Sequence, residues 1–298
     1  MKRVILLAAV LALAASPQMA SAKAVGHPAM PAAIFTDPPA DAAHPPRMEV
    51  LHIPSGGVKI NGVAYLAAGA GPHPTLVLLH GLPGNEKNLD LAQAVRRAGW
   101  NVVTFNYRGS WGSPGTFSFE GNLADARAVL AFVRDPANAT PLRIDPKKLV
   151  IGGHSMGGWV TALTAAQDTG LAGAIMISAA DMGGRGATSA ARPAIVKSMS
   201  EDMETLSSTT PEKMADEIIA FSPRLSFNAE VVKGLSTKPL LVLTSDDGLA
   251  ANAEKLVKAI KADGGRQVSL HHEATDHSWS GKRLALEALV ITWLQGLK

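Results

Sequence analysis

Residues 149–159 read LVIGGHSMGGW, an apolar run that passes directly into a Gly-x-Ser-x-Gly pattern centred on Ser155. A helical pattern follows at once. A serine at such a sharp strand-to-helix turn has a strained backbone, and side chains two residues to either side would collide, so Gly153 and Gly157 suit this turn. The turn lifts the hydroxyl above a sheet edge and directs the first free amides of the helix toward the same point. The five-residue pattern alone is weak evidence, and its value depends on the flanking elements and on partner residues elsewhere.

Strand-like and helix-like segments alternate on both sides of this stretch. Residues 48–54 and 58–67 are typical of an antiparallel hairpin, and the wholly apolar residues 75–79 are typical of a buried central strand. Further strand patterns lie at 101–105, 148–152, 172–178, 239–244 and 267–272, and helical patterns at 86–98, 121–134, 250–263 and 281–297. The alternation predicts an α/β fold with a mainly parallel eight-stranded sheet and helices on both faces.

Residues of about 181–236 interrupt the alternation, because they contain no strong strand pattern between two strands that should be neighbours. Helix formers lie at 194–205 and 211–220. The segment also carries four methionines: Met182, Met199, Met203 and Met214. It is either a plain helical connection with methionines as gap fillers, or a small helical lid whose soft side chains line an acyl pocket, and a lid can be both. We call residues 181–236 the lid insertion.

The first 47 residues have compositions unlike the rest of the chain. Lys2 and Arg3, an apolar stretch and the small residues Ala20-Ser21-Ala22 predict a signal peptide over residues 1–22, cleaved before Lys23. Residues 23–47 are rich in proline and alanine and predict an extended arm. The chain has no cysteine, so it forms no disulfide, and we expect an exported protein of a bacterial periplasm or a secreted one.

Charge and composition limit the classes of partner and cofactor that the sequence predicts. The formal net charge of +3 falls to +1 if residues 1–22 are removed, and no basic block indicates nucleic-acid binding. The mature chain has no pattern typical of a membrane span, and its sequence does not indicate an oligomeric state. It also lacks dinucleotide and phosphate-loop patterns, so no cofactor is predicted, and the run HHEATDH at 271–277 fits no recognised zinc spacing.

Three further motifs accompany the serine turn. Residues 80–84 (HGLPG) follow the central strand, residues 107–115 (YRGSWGSPG) follow the next strand, and Asp276-His277-Ser278 follow the last strand. Together these motifs resemble the α/β-hydrolase superfamily, and the YRG loop resembles bacterial branches near the dienelactone hydrolases and prolyl oligopeptidases. The resemblance implies that residues 48–298 form one α/β-hydrolase domain that includes the lid insertion.

The resemblance also implies a Ser-Asp-His order for a catalytic triad. Ser155 would be the nucleophile and His277 its base, since a serine hydroxyl needs a base that takes its proton as it attacks. The superfamily's spacing selects Asp247 as the acid that orients His277, but Thr244 occupies the position where a glycine usually closes the strand. Asp246 therefore stays a competitor, and Asp181 is a lesser alternative.

Backbone amides complete the predicted site. The amides of Met156 and Leu82 are the expected oxyanion hole, and both are main-chain donors. We expect His154 to pack under the serine turn and His80 to hydrogen-bond backbone in the loop that carries Leu82. Trp111, Phe117 and the lid methionines either line an acyl pocket or are plain packing.

The expected function is a serine hydrolase that cleaves a carboxylic ester, or a related acyl bond of a small molecule, through an acyl-enzyme. Three alternatives stay open. They are a peptidase or amidase, a cofactor-free perhydrolase with the same triad, and a non-catalytic binding protein on the same fold. A peptidase of the oligopeptidase kind usually has a propeller domain, which the short segment before the first core strand could not form.

Overall fold

The computed structural model describes residues 30–297, which contain one eight-stranded sheet. Its strands are β1 (Arg47–Ser55), β2 (Val58–Leu66), β3 (His73–Leu79), β4 (Asn101–Phe105), β5 (Ile144–His154), β6 (Gly173–Ile177), β7 (Leu240–Ser245) and β8 (Val268–Glu273). They are ordered β1-β2-β4-β3-β5-β6-β7-β8. The hairpin β1–β2 and the pair β2–β4 are antiparallel, whereas all other neighbours are parallel. The predicted α/β fold with a mainly parallel eight-stranded sheet is thus confirmed.

Helices cover both faces of the sheet, as predicted. They are α1 (Leu89–Arg97), α2 (Phe119–Arg134), α3 (Pro136–Ala139), α4 (Met156–Gln167), α5 (Arg192–Ser200), α6 (Pro211–Leu225), α7 (Ala229–Leu235), α8 (Ala250–Ala262) and α9 (Arg283–Gln295). Apolar residues of α1 and α9 form one core cluster, and those of α2, α4 and α8 form the other. Successive residues of β3 alternate between the two clusters, since side chains of a strand point to opposite faces.

The direction of the parallel strands decides where the functional candidates lie. Because β3, β5, β7 and β8 are parallel, the residues that follow them meet at one edge of the sheet. From β3 the chain crosses to one side of the sheet and from β5 to the other, and ligands of such sheets bind at the carboxyl ends of the strands beside this switch point. Leu82 follows β3 and Ser155 follows β5.

The lid insertion joins β6 to β7 and contains α5, α6 and α7. Buried apolar residues of all three helices belong to the same core cluster as α2 and α4, so the insertion is packed onto the domain. Among the described residues, the lid insertion makes one strand-like contact with the rest of the domain. It is an isolated antiparallel β-bridge between Ser110 and Leu206.

The predicted signal peptide over residues 1–22 lies outside the described residues, as does the first part of the predicted arm. Residues 32–34 form a short 3-10 turn whose Ile34 side chain is buried against α1 and α9. Arg97 donates hydrogen bonds to the carbonyl oxygens of Ala33, at 2.6 Å, and Ile34, at 3.1 Å. The described part of the arm is therefore attached to the domain.

Candidate active site

Ser155 occupies the turn between β5 and α4 with φ 57° and ψ −121°, a backbone conformation that side chains rarely adopt. A β-carbon on Gly153 would lie 2.3 Å from the carbonyl oxygen of Gly157, and one on Gly157 would lie 2.5 Å from that of Leu79. The Ser155 amide donates to the carbonyl of Ile177 at 2.9 Å. The two glycines are thus a steric requirement of the turn, and strain of this kind is concentrated at functional sites.

His277 lies on the loop after β8, and its Nδ1 is 2.8 Å from Oδ2 of Asp247. The side chain of Asp247 is 2% exposed and that of His277 is 39% exposed. Because a carboxylate only accepts hydrogen bonds, the imidazole donates from Nδ1, which leaves Nε2 as an acceptor. Ser155, Asp247 and His277 line the same cavity.

Asp247 is held in its charged form by its surroundings. Burial by itself would raise the pKa of this carboxyl group, but hydrogen bonds from His277, the Leu249 amide and the Ser245 hydroxyl outweigh burial and lower the pKa to about 2. The Leu249 amide lies 2.9 Å from Oδ1 and the Ser245 hydroxyl lies 3.0 Å from Oδ2. The carboxylate is therefore both charged and fixed in position at neutral pH.

The other two acid candidates are hydrogen-bonded to groups other than His277, although Asp181 lines the same cavity. Oδ1 of Asp246 is 3.1 Å from Nε2 of His272, and its side chain is 64% exposed. Asp181 accepts hydrogen bonds from the amides of Gly184, at 2.9 Å, and Phe227, at 3.3 Å. Of the three carboxylates, Asp247 is the one that the structure brings to His277.

Leu82 and Met156, whose amides are the expected oxyanion donors, line the cavity together with Ser155. Neither amide donates to another group among residues 30–297. The loop that carries Leu82 approaches the serine closely, since a β-carbon on Gly81 would lie 2.9 Å from the β-carbon of Ser155 and 3.4 Å from its hydroxyl oxygen. Two free N–H groups beside a serine are the elements of an oxyanion hole.

His80 orients the loop of Leu82 from within the core. Its Nδ1 donates to the carbonyl of Gly81 at 2.7 Å, and that carbonyl shares a planar peptide group with the Leu82 amide. The imidazole therefore fixes the direction of the Leu82 N–H. Burial lowers the pKa of His80 to about 4, so the ring is neutral at pH 7. Tyr107 packs edge-on against it, with 4.8 Å between ring centroids.

His154 supports the loop of His277. Its Nε2 donates to the carbonyl of His277 at 2.8 Å, and the two rings are 4.6 Å apart between centroids. Burial, together with the adjacent His277, lowers the pKa of His154 to about 4. A neutral ring in this place supports the backbone of His277 without adding a charge to the site.

Two cavities meet at Ser155. One, of about 350 Å³, extends toward the lid insertion and has Met156, Met182 and Leu249 among its lining residues. The other, of about 200 Å³, extends along the loop of Leu82 toward Ser278. Leu82, Ser155 and His277 belong to the walls of both. A molecule with a group on each side of a central carbonyl therefore has room on both sides of the serine.

The sequence left open whether Trp111, Phe117 and the lid methionines line a pocket or are plain packing, and the structure gives these residues different places. Phe117 is buried in the core and packs edge-on against Phe119, so it is plain packing. Met199 and Met214 are also fully buried in the core, whereas Met182 lines the larger cavity. Trp111 is 36% exposed, lines neither cavity, and donates its indole N–H to the carbonyl of Pro83 in the loop of Leu82.

Sequence reasoning missed several residues of the site. Ser245 and the Leu249 amide hold Asp247, and Arg185, Asp202 and Asn252 line the larger cavity. Ser245 next to Asp246-Asp247 was a visible local signal, because a serine hydroxyl reaches a carboxylate two residues away. The cavity residues come from distant segments and carry no common pattern.

Residues 30–297 contain no group of three or more His, Asp or Glu side chains arranged to hold a metal ion. No helix in this part of the chain is long and apolar enough to cross a membrane.

Comparison with known proteins decides the family. The model of the alpha/beta hydrolase family matches residues 76–281, which is more than half of the chain. The chain belongs to the alpha/beta hydrolase family. The match runs from within β3 into the loop after β8, so it includes Leu82, Ser155, Asp247 and His277.

Among curated relatives, this family member is 28% identical to an uncharacterised protein of Mycobacterium tuberculosis over 131 residues, which are 44% of this chain and 45% of the relative. It is 35% identical to the lysophosphatidylserine lipase ABHD12 of Danio rerio over 88 residues, 28% of this chain and 21% of that protein. The chain thus matches less than half the length of these relatives.

Solved structures show the same fold over most of the chain. The carboxylesterase EstE1, cloned from a metagenomic library, superposes with a TM-score of 0.63 at 23% identity, covering 89% of this chain and 92% of EstE1. The hyperthermophilic esterase of Pyrobaculum calidifontis superposes with a TM-score of 0.58 at 18% identity, covering 86% of this chain and 88% of the esterase.

Proposed function

We propose that this family member is a serine hydrolase that cleaves carboxylic esters of small molecules through an acyl-enzyme. The observation that carries the proposal is the hydrogen bond of 2.8 Å between His277 and Asp247. Both residues line a cavity that is also lined by Ser155, whose backbone is strained. A charged carboxylate fixes the imidazole with Nδ1 protonated, so that Nε2 can act as a base toward a hydroxyl. Family membership and the similarity to esterases and a lipase support an ester as the substrate.

In this mechanism the Ser155 oxygen attacks the ester carbonyl while Nε2 of His277 takes the hydroxyl proton. The amides of Leu82 and Met156 donate to the oxyanion of the tetrahedral intermediate. The intermediate collapses, the bond to the alcohol oxygen breaks, and His277 gives its proton to the leaving alcohol. Water then attacks the acyl-serine, again giving its proton to His277, and the carboxylic acid leaves with Ser155 regenerated.

The two cavities suggest the size of the substrate. A cavity of about 350 Å³ is near the lower end of the range for small-molecule pockets, and the adjoining cavity of about 200 Å³ is smaller still. We therefore propose that short and medium acyl esters are hydrolysed better than long-chain ones. A series of p-nitrophenyl esters from acetate to palmitate measures this preference, and a maximum at palmitate would contradict it.

Reaction with a fluorophosphonate tests the nucleophile. The wild-type protein should be labelled covalently at Ser155 and should hydrolyse p-nitrophenyl butyrate. Ser155→Ala should abolish labelling and lower kcat/KM by about 10⁵–10⁶-fold. Ser200→Ala is the matched control, because its exposed hydroxyl only donates to the carbonyl of Val196 in α5. Absence of wild-type labelling, or labelling that persists in Ser155→Ala, would contradict the proposal.

We also propose that the protein is exported through cleavage of residues 1–22, which lie outside the described residues. The support is the charged start, the apolar stretch and the Ala20-Ser21-Ala22 site. Expression of the full chain in a Gram-negative bacterium, followed by amino-terminal sequencing of the periplasmic fraction, should give a chain that begins at Lys23. Recovery of the chain in the cytoplasm with residues 1–22 attached would contradict export.

A further inference from the structure

The carbonyl of Pro83 accepts two side-chain hydrogen bonds. Pro83 directly follows Leu82, whose amide is a proposed oxyanion donor. The indole N–H of Trp111 donates to this carbonyl at 2.7 Å, and the hydroxyl of Thr205 donates at 2.9 Å. Trp111 belongs to the YRG loop after β4, and Thr205 belongs to the lid insertion. Two elements distant in sequence therefore converge on one backbone oxygen next to Leu82.

Trp111 and Thr205, the two donors, are also hydrogen-bonded to each other. The amide of Trp111 donates to the carbonyl of Thr205 at 3.0 Å, which closes a ring of three contacts. Ser110 pairs with Leu206 as an isolated antiparallel bridge, and the amide of Ser207 donates to the carbonyl of Gly109 at 2.8 Å. We call Pro83, Trp111 and Thr205 the Pro83 clasp.

Trp111 is held in a strained conformation to make these contacts. Its φ is 49°, which is uncommon for a bulky residue and persists only where the surroundings enforce it. The ammonium group of Lys87 lies 4.0 Å from the centre of its ring. A β-carbon on Gly84 would lie 3.0 Å from the indole nitrogen. The partly exposed indole therefore packs closely against the loop that carries Leu82.

We infer that Trp111 and Thr205 are positioning residues that hold the Leu82 amide toward the oxyanion by fixing the Pro83 carbonyl. His80 fixes the peptide group before Leu82 through the Gly81 carbonyl, and the Pro83 clasp fixes the peptide group that follows Pro83. His80 thus holds the peptide group that contains the Leu82 N–H, and the clasp holds the chain just after it, so this N–H has little freedom to turn away. The lid insertion thereby becomes part of the support of the oxyanion hole. This inference rests on the proposed function.

Thr205→Val tests the clasp, since valine keeps the shape of threonine and removes its hydroxyl. A less well aimed oxyanion donor weakens the transition state more than the bound ester. We expect kcat for p-nitrophenyl butyrate to fall about three- to tenfold, the range of one neutral hydrogen bond, with KM changed less than twofold. The inhibition constant of a trifluoromethyl ketone, whose adduct with Ser155 carries an oxyanion, should rise by the factor by which kcat/KM falls.

Three further variants separate positioning from folding. Thr205→Ser keeps the hydroxyl and should restore kcat. Thr237→Val is the matched control, because that exposed hydroxyl donates only to the carbonyl of Gly234, far from the site, and it should leave kcat unchanged. Trp111→Phe should also lower kcat, and the loss in the double variant with Thr205→Val should be smaller than the product of the two single losses, because both act through one carbonyl.

The outcomes distinguish the clasp from the proposed function. Titration with fluorophosphonate gives the fraction of folded, reactive sites, so each kcat refers to competent enzyme. A wild-type protein with esterase activity, together with a Thr205→Val variant that keeps its kcat and its ketone affinity, overturns the clasp alone. The clasp is also overturned if Thr205→Ser is as slow as Thr205→Val. A wild-type protein that neither reacts with fluorophosphonate nor hydrolyses esters overturns the proposed function and the clasp together.

Discussion

At the scale of single residues, the surroundings of Asp247 separate it from its neighbour Asp246. Asp247 is buried and accepts hydrogen bonds from His277, Ser245 and the Leu249 amide, whereas Asp246 faces solvent beside His272. Adjacent residues with the same side chain differ only in direction, and the turn after β7 decides that direction. The local sequence SDDG therefore left the two aspartates open, and the tertiary structure brings one of them to His277.

Asp247→Asn should lower kcat by about 10⁴-fold while the protein stays folded. An amide group that turns its NH₂ toward His277 favours the tautomer protonated at Nε2, which cannot accept the serine proton. The measurement is kcat for p-nitrophenyl butyrate at pH 7.

Asp246→Asn is the control for this variant. Its carboxylate contacts His272 at the surface, so kcat should stay within about twofold of wild type. Equal losses in the two variants, or a larger loss in Asp246→Asn, would contradict the assignment of Asp247.

At the scale of elements, the lid insertion is attached to the domain by charge as well as by apolar packing. The carboxylate of Glu217 in α6 accepts the amides of Phe119, at 3.0 Å, and Glu120, at 2.9 Å, at the start of α2. The Ser118 side chain accepts the amide of Gly121 at 3.0 Å. Together they satisfy three of the amides that a helix leaves free at its first turn, where negative charge is also favoured.

Glu217→Gln should lower the free energy of unfolding by about 1.5–3 kcal/mol. Glutamine removes the charge and turns an NH₂ group toward one of the two helix amides, which then has no acceptor. Urea denaturation at pH 7 measures the change.

Glu254→Gln provides the comparison for Glu217→Gln. Glu254 lies exposed in α8 beyond its first turn, and its replacement should change the free energy of unfolding by less than about 0.5 kcal/mol. The proposed attachment fails if the two variants are equally stable.

The sequence pattern predicted the positions of most strands and helices, and the helices that it missed are short. The strand predicted over 101–105 was located to the residue, and the helices predicted over 121–134 and 250–263 were within two residues at each end. α3 and α7 were not predicted, because helices of four and seven residues show too few turns for an apolar stripe. α7 also contains Gly234, a weak helix former.

At the scale of the whole molecule, two buried neutral histidines make stability depend on pH. Burial lowers the pKa values of His80 and His154 to about 4, below the ordinary value of 6.5 that they regain on unfolding. Between these values the unfolded chain binds more protons than the folded protein. Their contribution to stability is therefore complete above pH 6.5 and is lost as the pH falls toward 4. The pKa of Asp247 is lowered from 3.8 to about 2, so the stability that this carboxylate contributes is lost only as the pH falls below 3.8.

We expect the free energy of unfolding to be smaller at pH 4.5 than at pH 7.5, by on the order of 2–3 kcal/mol for each of the two histidines. His154→Gln should make the difference smaller, because the amide can still donate to the His277 carbonyl but does not titrate. Urea denaturation at both pH values measures this dependence.

His52→Gln, on the exposed face of β1, is the matched substitution and should leave the difference between the two pH values as in wild type. If His154→Gln and wild type lose the same stability on acidification, His154 does not contribute to the pH dependence.

The amino-acid sequence by itself determined the alternation of strands and helices, the serine turn and the hydrolase family resemblance, because these depend on local periodicity and on glycines that only one backbone geometry requires. The tertiary structure decided what depends on direction and distance: which aspartate meets His277, which methionine reaches the cavity, and how Thr205 of the lid insertion comes to the Pro83 carbonyl. Parallel strands bring distant loops to one edge of the sheet. Which atoms then meet is decided by the packing of whole elements, and no local pattern records it.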